Sequence, residues 1–226
     1  MDEHVWNAAP FRSGLTVSLL NLLAPSPDEE SLRQALATSA TAAEAACRDR
    51  SCDCGPGCPH CCVLNVAALL PEVLVIARWL EKQLAAPDLA QLRDRLVHHC
   101  CRARWMDDGE RILKKVVCPF LDDRGCCAIH PVRPLVCRAA HSLDRDACGQ
   151  LFDPLFTETR PPVPVDLLRH AAYDEAFKAL AGTLRSCGLD DRSIELGTGV
   201  LAFLEGPEFR EIFLAGKKLP GGLWTD

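Results

Sequence analysis

Two stretches of the chain concentrate the residue type that ligates soft metals and carries thiol redox chemistry. The first reads Cys54-Gly55-Pro56-Gly57-Cys58-Pro59-His60-Cys61-Cys62. Two residues separate Cys58 from Cys61, the spacing that lets one tight turn direct two thiolates at one ion. Glycine lets the backbone fold close to such an ion, while Pro56 and Pro59 prevent a continuous helix. The second stretch opens with Cys118-Pro119-Phe120-Leu121 and runs on through Gly125-Cys126-Cys127-Ala128-Ile129-His130 to Arg133-Pro134-Leu135-Val136-Cys137-Arg138. A tetrahedral zinc takes four ligands, and a four-iron cluster is held by four cysteines. The two stretches offer at least seven cysteines. One site assembled from both, two sites, or one site with reactive free thiols beside it are all open.

Arg133 and Arg138 have a physical role beside such a centre. Four thiolates around a divalent ion or a four-iron cluster leave net negative charge in a low-dielectric pocket, which guanidinium groups offset while donating hydrogen bonds to sulfur. The bland alternative pairs both arginines with Asp122, Asp123 or Asp144 at the surface. Cys148 follows the second stretch by a short loop and joins the ligand candidates, whereas Cys126 is the spare member of its pair. Cys100 falls near the apolar stripe of its helix and Cys187 continues the Phe177, Leu180, Leu184 stripe, so both read as core. His98 and Cys101 have helical ligand spacing without a third partner. His60, His130 and His141 lie near enough to ligate but read better as solvent-facing or supporting groups.

Residues 54–148 resemble the YkgJ-type cysteine-cluster family, catalogued as zinc- or iron-chelating domains. The family pattern is a C-x-x-C-x-x-C-C start, a helix, then C-P-F-L and G-x-C-x-I-Y-x-x-R-P-x-x-C-R. Cys58, Cys61 and Cys62 match the start, Cys118-Pro119-Phe120-Leu121 the middle, and Gly125, Cys127, Ile129, Arg133, Pro134, Cys137 and Arg138 the end. Three residues rather than two separate Cys54 from Cys58, and His130 stands where the family has Tyr. The resemblance implies metal binding, with iron-sulfur and zinc both proposed, and supplies no reaction. The expected metal ligands are Cys54, Cys58, Cys61, Cys62, Cys118, Cys127, Cys137 and Cys148, with Arg133 and Arg138 against the cofactor.

The elements that must position these residues are helical, since 3.6-residue periodicity dominates and strand alternation is nearly absent. Residues 1–28 form an arm ending at the Ala24-Pro25-Ser26-Pro27 break. A helix from Ser31 to about Cys47, capped by Asp28 or Ser31, leads into the first cysteine stretch. Pro71 and Glu72 suit the first turn of a helix through Leu84, and Asp88 caps a helix carrying Leu89, Leu92, Leu96 and Ala103. Beyond the second cysteine stretch, Arg160-Pro161-Pro162-Val163-Pro164 is a stiff connector. Asp166 caps a helix ended by Gly188, and helical segments at about 191–204 and 207–215 close the chain. The expected fold is mainly α, an irregular helical domain built around two cysteine-rich metal-binding loops. Residues 29–160 form the metal-binding domain and 161–226 a C-terminal helical extension packed on the same core.

The 226 residues carry a net charge of −6, which gives no general attraction to nucleic acid or anionic lipid. No stretch reaches the length of a membrane span, and the acidic start Met1-Asp2-Glu3-His4 lacks the basic region of a secretory leader. A reducing, cytoplasmic compartment follows, in which 14 cysteines read as metal-binding or catalytic rather than disulfide-forming. No phosphate-cradling loop, nucleophile elbow or dinucleotide fingerprint is present. The leading expectation is a protein holding an iron-sulfur cluster, four-iron favoured, or zinc, for a redox, maturation or structural role. Two alternatives stand beside it: a metal-dependent enzyme modifying a protein or peptide, in the manner of a lysine methylase, and a zinc-stapled adaptor with a protein partner. Copper buffering is disfavoured by the presence of only two Met.

Overall fold

Local capping chemistry starts most of the helices in the computed structural model, which describes residues 6–24, 26–153, 155 and 162–224. The acidic start, Pro25 of the first break and the Arg160-Pro161 part of the connector lie outside the described residues. The Asn7 side chain accepts the Ala9 N–H and opens α1 (Ala8–Leu23). Asp28 accepts the Ser31 N–H at 2.7 Å while the Ser31 hydroxyl accepts the Asp28 N–H at 2.9 Å. This reciprocal pair opens α2 (Glu29–Ala46), so both expected cap residues act together.

A short strand, β1 (Ala67–Leu69), runs directly into α3 (Leu70–Gln83), whose first turn holds Pro71 and Glu72 as expected. The next helix, α4 (Ala86–Ala103), begins earlier than Asp88. Ala85 is its cap residue, so Asp88 sits inside the first turn and serves the helix dipole rather than closing a cap. Three short helices follow: α5 (Asp108–Leu113), α6 (Leu135–Ala139) and α7 (Arg145–Leu151). Then α8 (Leu167–Ser186) begins at Asp166, whose Oδ1 accepts the Arg169 N–H at 3.0 Å. Gly188, with φ of 73°, turns the chain after it, a conformation that only glycine adopts cheaply.

The segment expected to be helical over 191–204 divides into β2 (Ser193–Glu195) and α9 (Leu196–Glu205), and α10 (Pro207–Leu214) follows. The two strands pair antiparallel, Ala67 opposite Glu195 and Leu69 opposite Ser193. Three-residue strands that run straight into helices leave no alternating pattern long enough to read.

Helices α1, α2 and α8 pack on one another, while α9 packs on α3 and α4. The two groups share one apolar core, in which Leu19, Leu32, Leu74, Leu80, Tyr173, Leu180 and Phe213 are buried. Helix α6, which carries Cys137 and Arg138 at the end of the second cysteine stretch, packs on α8. The chain is therefore mainly α-helical, but the two metal-binding loops expected at its centre are not found. Among the described residues no group of three or more His, Cys, Asp or Glu side chains could hold a metal ion.

Candidate functional site

Backbone hydrogen bonds, rather than a metal, hold the first cysteine stretch. Cys58 N–H bonds the Gly55 carbonyl at 3.1 Å and Cys62 N–H bonds the Pro59 carbonyl at 2.8 Å. The stretch is tied to the segment before α7, since Asp53 N–H reaches the Ser142 carbonyl at 2.8 Å and Asp53 Oδ2 accepts the Arg145 N–H at 2.9 Å. Cys54 is half-buried, and its Sγ accepts the Ser142 N–H at 3.2 Å.

The second stretch is a tight hairpin closed by a bridge between Leu121 and Cys127, with Ala128 N–H on the Phe120 carbonyl at 2.8 Å. Asp122 Oδ1 accepts the N–H groups of Arg124 and Cys126, so the acid holds the turn instead of merely facing solvent. Gly57 and Gly125, both at positive φ, face each other where the two stretches meet; a Cβ on Gly125 would lie 3.4 Å from the Gly57 carbonyl oxygen. A hydrogen bond of 2.7 Å from Cys118 N–H to the Cys62 carbonyl completes the junction.

The junction brings several thiols within reach of one another's charge. Cys61 is favoured as a thiolate chiefly by the neighbouring Cys62 thiol, then, against burial, by its own backbone N–H and by Arg133. Its partner is accordingly pushed up. Burial raises Cys118 to about 12 and Cys148 to about 11, and also raises Cys54, Cys127 and Cys137. Cys127 and Cys137 both feel the charge of Cys61. Cys58 is half-buried in the same turn, and Cys148 is buried within α7.

The two arginines differ. Arg138 is fully committed, donating to the carbonyls of Arg133 and Pro131 at 3.0 and 2.9 Å and to Glu44 at 3.0 Å. Among the described residues Arg133 has no carboxylate partner, and its buried Nε makes no hydrogen bond. Neither pairs with Asp122, Asp123 or Asp144. The histidines are also accounted for. His141 accepts the Asp166 N–H at Nε2 and so carries its proton on Nδ1, 2.7 Å from the Ala139 carbonyl. The His60 ring lies against Gly149, and His130 is exposed.

Compared with protein-family models, with curated proteins and with solved structures, the chain matches none. The lack of any group of three or more His, Cys, Asp or Glu donors among the described residues corrects the resemblance to the YkgJ-type family, and with it the iron-sulfur cluster, the zinc ion and the metal as partner. The lysine-methylase-like and zinc-adaptor alternatives depended on the same centre and go with it. A metal site needs deprotonated donors converging at bonding distance. Here Cys54 is engaged by Ser142, and no group of three donors converges among the described residues. All fourteen cysteines are free, with no disulfide. No helix among the described residues is long and apolar enough to cross a membrane.

Among the charged groups that escaped the reading of the sequence are buried Glu72 and the half-buried Glu195. Glu72, read as a first-turn acid, is enclosed, and its two oxygens accept the N–H groups of Leu69 at 2.8 Å and Leu135 at 2.7 Å. Burial pushes its carboxyl up to about 7 against those bonds and Arg138. Glu195 sits with His99 at 3.4 Å and Arg111 at 3.5 Å, and accepts from the Thr198 N–H at 2.7 Å. Burial would raise it, but His99 and Thr198 hold it down to about 2. An acid immediately before Leu196-Gly197-Thr198-Gly199 was the available signal, since the Glu195 side chain caps α9.

Proposed function

We propose that the protein is a thiol redox protein of a reducing, cytoplasmic compartment, in which Cys61 reacts and Cys62 or Cys127 resolves the product. The observation that carries this is the junction itself: the Cys118 N–H bond to the Cys62 carbonyl at 2.7 Å closes one stretch on the other around Cys61. Arg133 and the Cys62 thiol support the thiolate, and reactivity follows thiolate character in such electropositive, partly exposed places. Cys54, Cys58, Cys118, Cys137 and Cys148 complete the thiol environment, while Arg138 holds the Pro131–Arg138 turn that presents Arg133. Fourteen free thiols fit a compartment that keeps cysteine reduced.

The oxidant is hydrogen peroxide. The Cys61 thiolate attacks the peroxide oxygen, an S–O bond forms and the O–O bond breaks, and the leaving hydroxide takes a proton to become water. The resolving thiol then attacks Cys61 Sγ; an S–S bond forms, the S–O bond breaks, and a second water leaves with the proton of that thiol. Two thiols have supplied two electrons, and two molecules of a small thiol then reduce the protein disulfide and leave as a disulfide of their own. Titration of the reduced protein with one equivalent of hydrogen peroxide, followed by non-reducing peptide mapping, tests this. The expected product links Cys61 to Cys62 or Cys127, and Cys61→Ser should slow thiol loss about tenfold or more. Equal rates in Cys61→Ser, or oxidation spread over exposed Cys52 and Cys101, would overturn it.

A further inference from the structure

The Pro131–Arg138 turn borders a cavity of about 510 Å³ between α2 and α3. Its volume lies within the range of sites that enclose small organic molecules. Its lining mixes an apolar wall, Leu36, Trp79 and Val132, with an excess of positive charge. Of the five cations there, three are already neutralised. Arg33 donates to Glu30 at 2.8 Å, Arg78 to Glu29 at 3.0 Å, and Arg138 to Glu44 at 3.0 Å. Glu72, the remaining acid of the lining, has both oxygens turned to backbone N–H groups.

Two cations are left without a carboxylate within ion-pair distance among the described residues: Arg133, whose buried Nε also lacks a hydrogen-bond acceptor, and exposed Lys82. An enclosed guanidinium nitrogen without an acceptor is costly, and the native arrangement keeps such groups paired unless a ligand or ordered water supplies the acceptor. We propose that this cavity binds a small organic anion, with a carboxylate or similar acid group at Arg133, assisted by Lys82, and an apolar body along Leu36 and Trp79. A guanidinium suits this role because its planar donors match a carboxylate in two parallel hydrogen bonds. The site shares Arg133 with the surroundings of Cys61, but it rests on its own cavity and on charges read without the thiol chemistry.

Isothermal titration of the reduced 226-residue chain with 2-naphthoate, 2-naphthamide and 2-naphthylmethylammonium tests it. The carboxylate should bind one to one, with the amide about tenfold weaker or more and the ammonium weaker still. Arg133→Gln should reduce naphthoate affinity about tenfold and bring it level with the amide, and Lys82→Gln should reduce it a few-fold. Arg124→Gln, an exposed cation away from the cavity, should change nothing. If Arg133→Gln fails to fold, as judged by circular dichroism, the ligand series and Lys82→Gln still decide. Equal binding of carboxylate and amide, no binding of naphthoate, or full affinity in a folded Arg133→Gln variant would each overturn the assignment. Because none of these measurements involves oxidation, failure here leaves the Cys61 proposal untouched, and the reverse holds.

Discussion

Glu72, which is buried, and Glu195, which is half-buried, are carboxyls pushed in opposite directions by their surroundings, and stability should record both. Glu72 has a folded-state value of about 7 against an ordinary 4.5, so the unfolded chain ionises first as pH rises. Stability is then undiminished below about 4.5, falls between 4.5 and 7, and carries the whole penalty of about 3 kcal/mol above 7. Glu195, at about 2 in the folded state, contributes about 3 kcal/mol above 4.5 that is lost as pH falls toward 2. Urea unfolding across this range should therefore show a maximum near the ordinary carboxylate value. Glu72→Gln should flatten the upper slope. It should also cost about 1–3 kcal/mol at pH 5, because the amide replaces one of two acceptors and leaves a backbone N–H facing NH₂. A slope unchanged in that variant would assign the effect to another group. Glu195→Gln should flatten the lower slope in the same way.

At the scale of elements, the approach of α9 to β2 and α3 depends on Gly199. A Cβ there would stand 2.6 Å from Ile194 Cγ2 and 2.9 Å from Val73 Cγ1, both on β-branched side chains with little rotamer freedom. Gly199→Ala should destabilise by about 1–3 kcal/mol, because either the helix or the two side chains must shift in a packed core. Gly14, inside α1, meets nothing within 4 Å, so Gly14→Ala should stabilise by about 0.5–1 kcal/mol through helix propensity alone. Thermal unfolding of the two variants side by side checks the contrast; the same sign for both would contradict it.

At the scale of the molecule, one apolar core joins helices from both ends of the chain. Leu19 of α1 and Leu180 of α8 are both fully buried in it. Leu19→Ala and Leu180→Ala should each cost about 2–5 kcal/mol. Both variants should keep a single transition, with circular dichroism and tryptophan fluorescence coinciding. A separate early transition in Leu19→Ala would make α1 an independent element. The division into an arm at 1–28, a central region at 29–160 and an extension at 161–226 is kept as a proposal. Under it, removal of 1–28 should lower the melting temperature of the rest without abolishing its helicity.

What the amino-acid sequence determined by itself is local. Asp28 with Ser31, Pro71, Asp166 and Gly188 mark helix ends through contacts a few residues away, so the mainly helical character and most boundaries were legible. Asp88 misled because an acid in a first turn and an acid at a cap look alike until the backbone is seen. The cysteine stretches were legible as clusters along the chain, but clustering in sequence fixes neither the direction of a thiol nor its distance from another. Those depend on how Gly57 meets Gly125 and how Cys118 bonds Cys62, contacts between segments far apart. The charge state of Glu72 depends on Leu135, 63 residues along the chain, and the pairing of β1 with β2 on a still longer closure. Only the tertiary structure decided these, because electrostatics and packing act through space, and the short-range periodicities of a sequence carry no record of which distant surfaces meet.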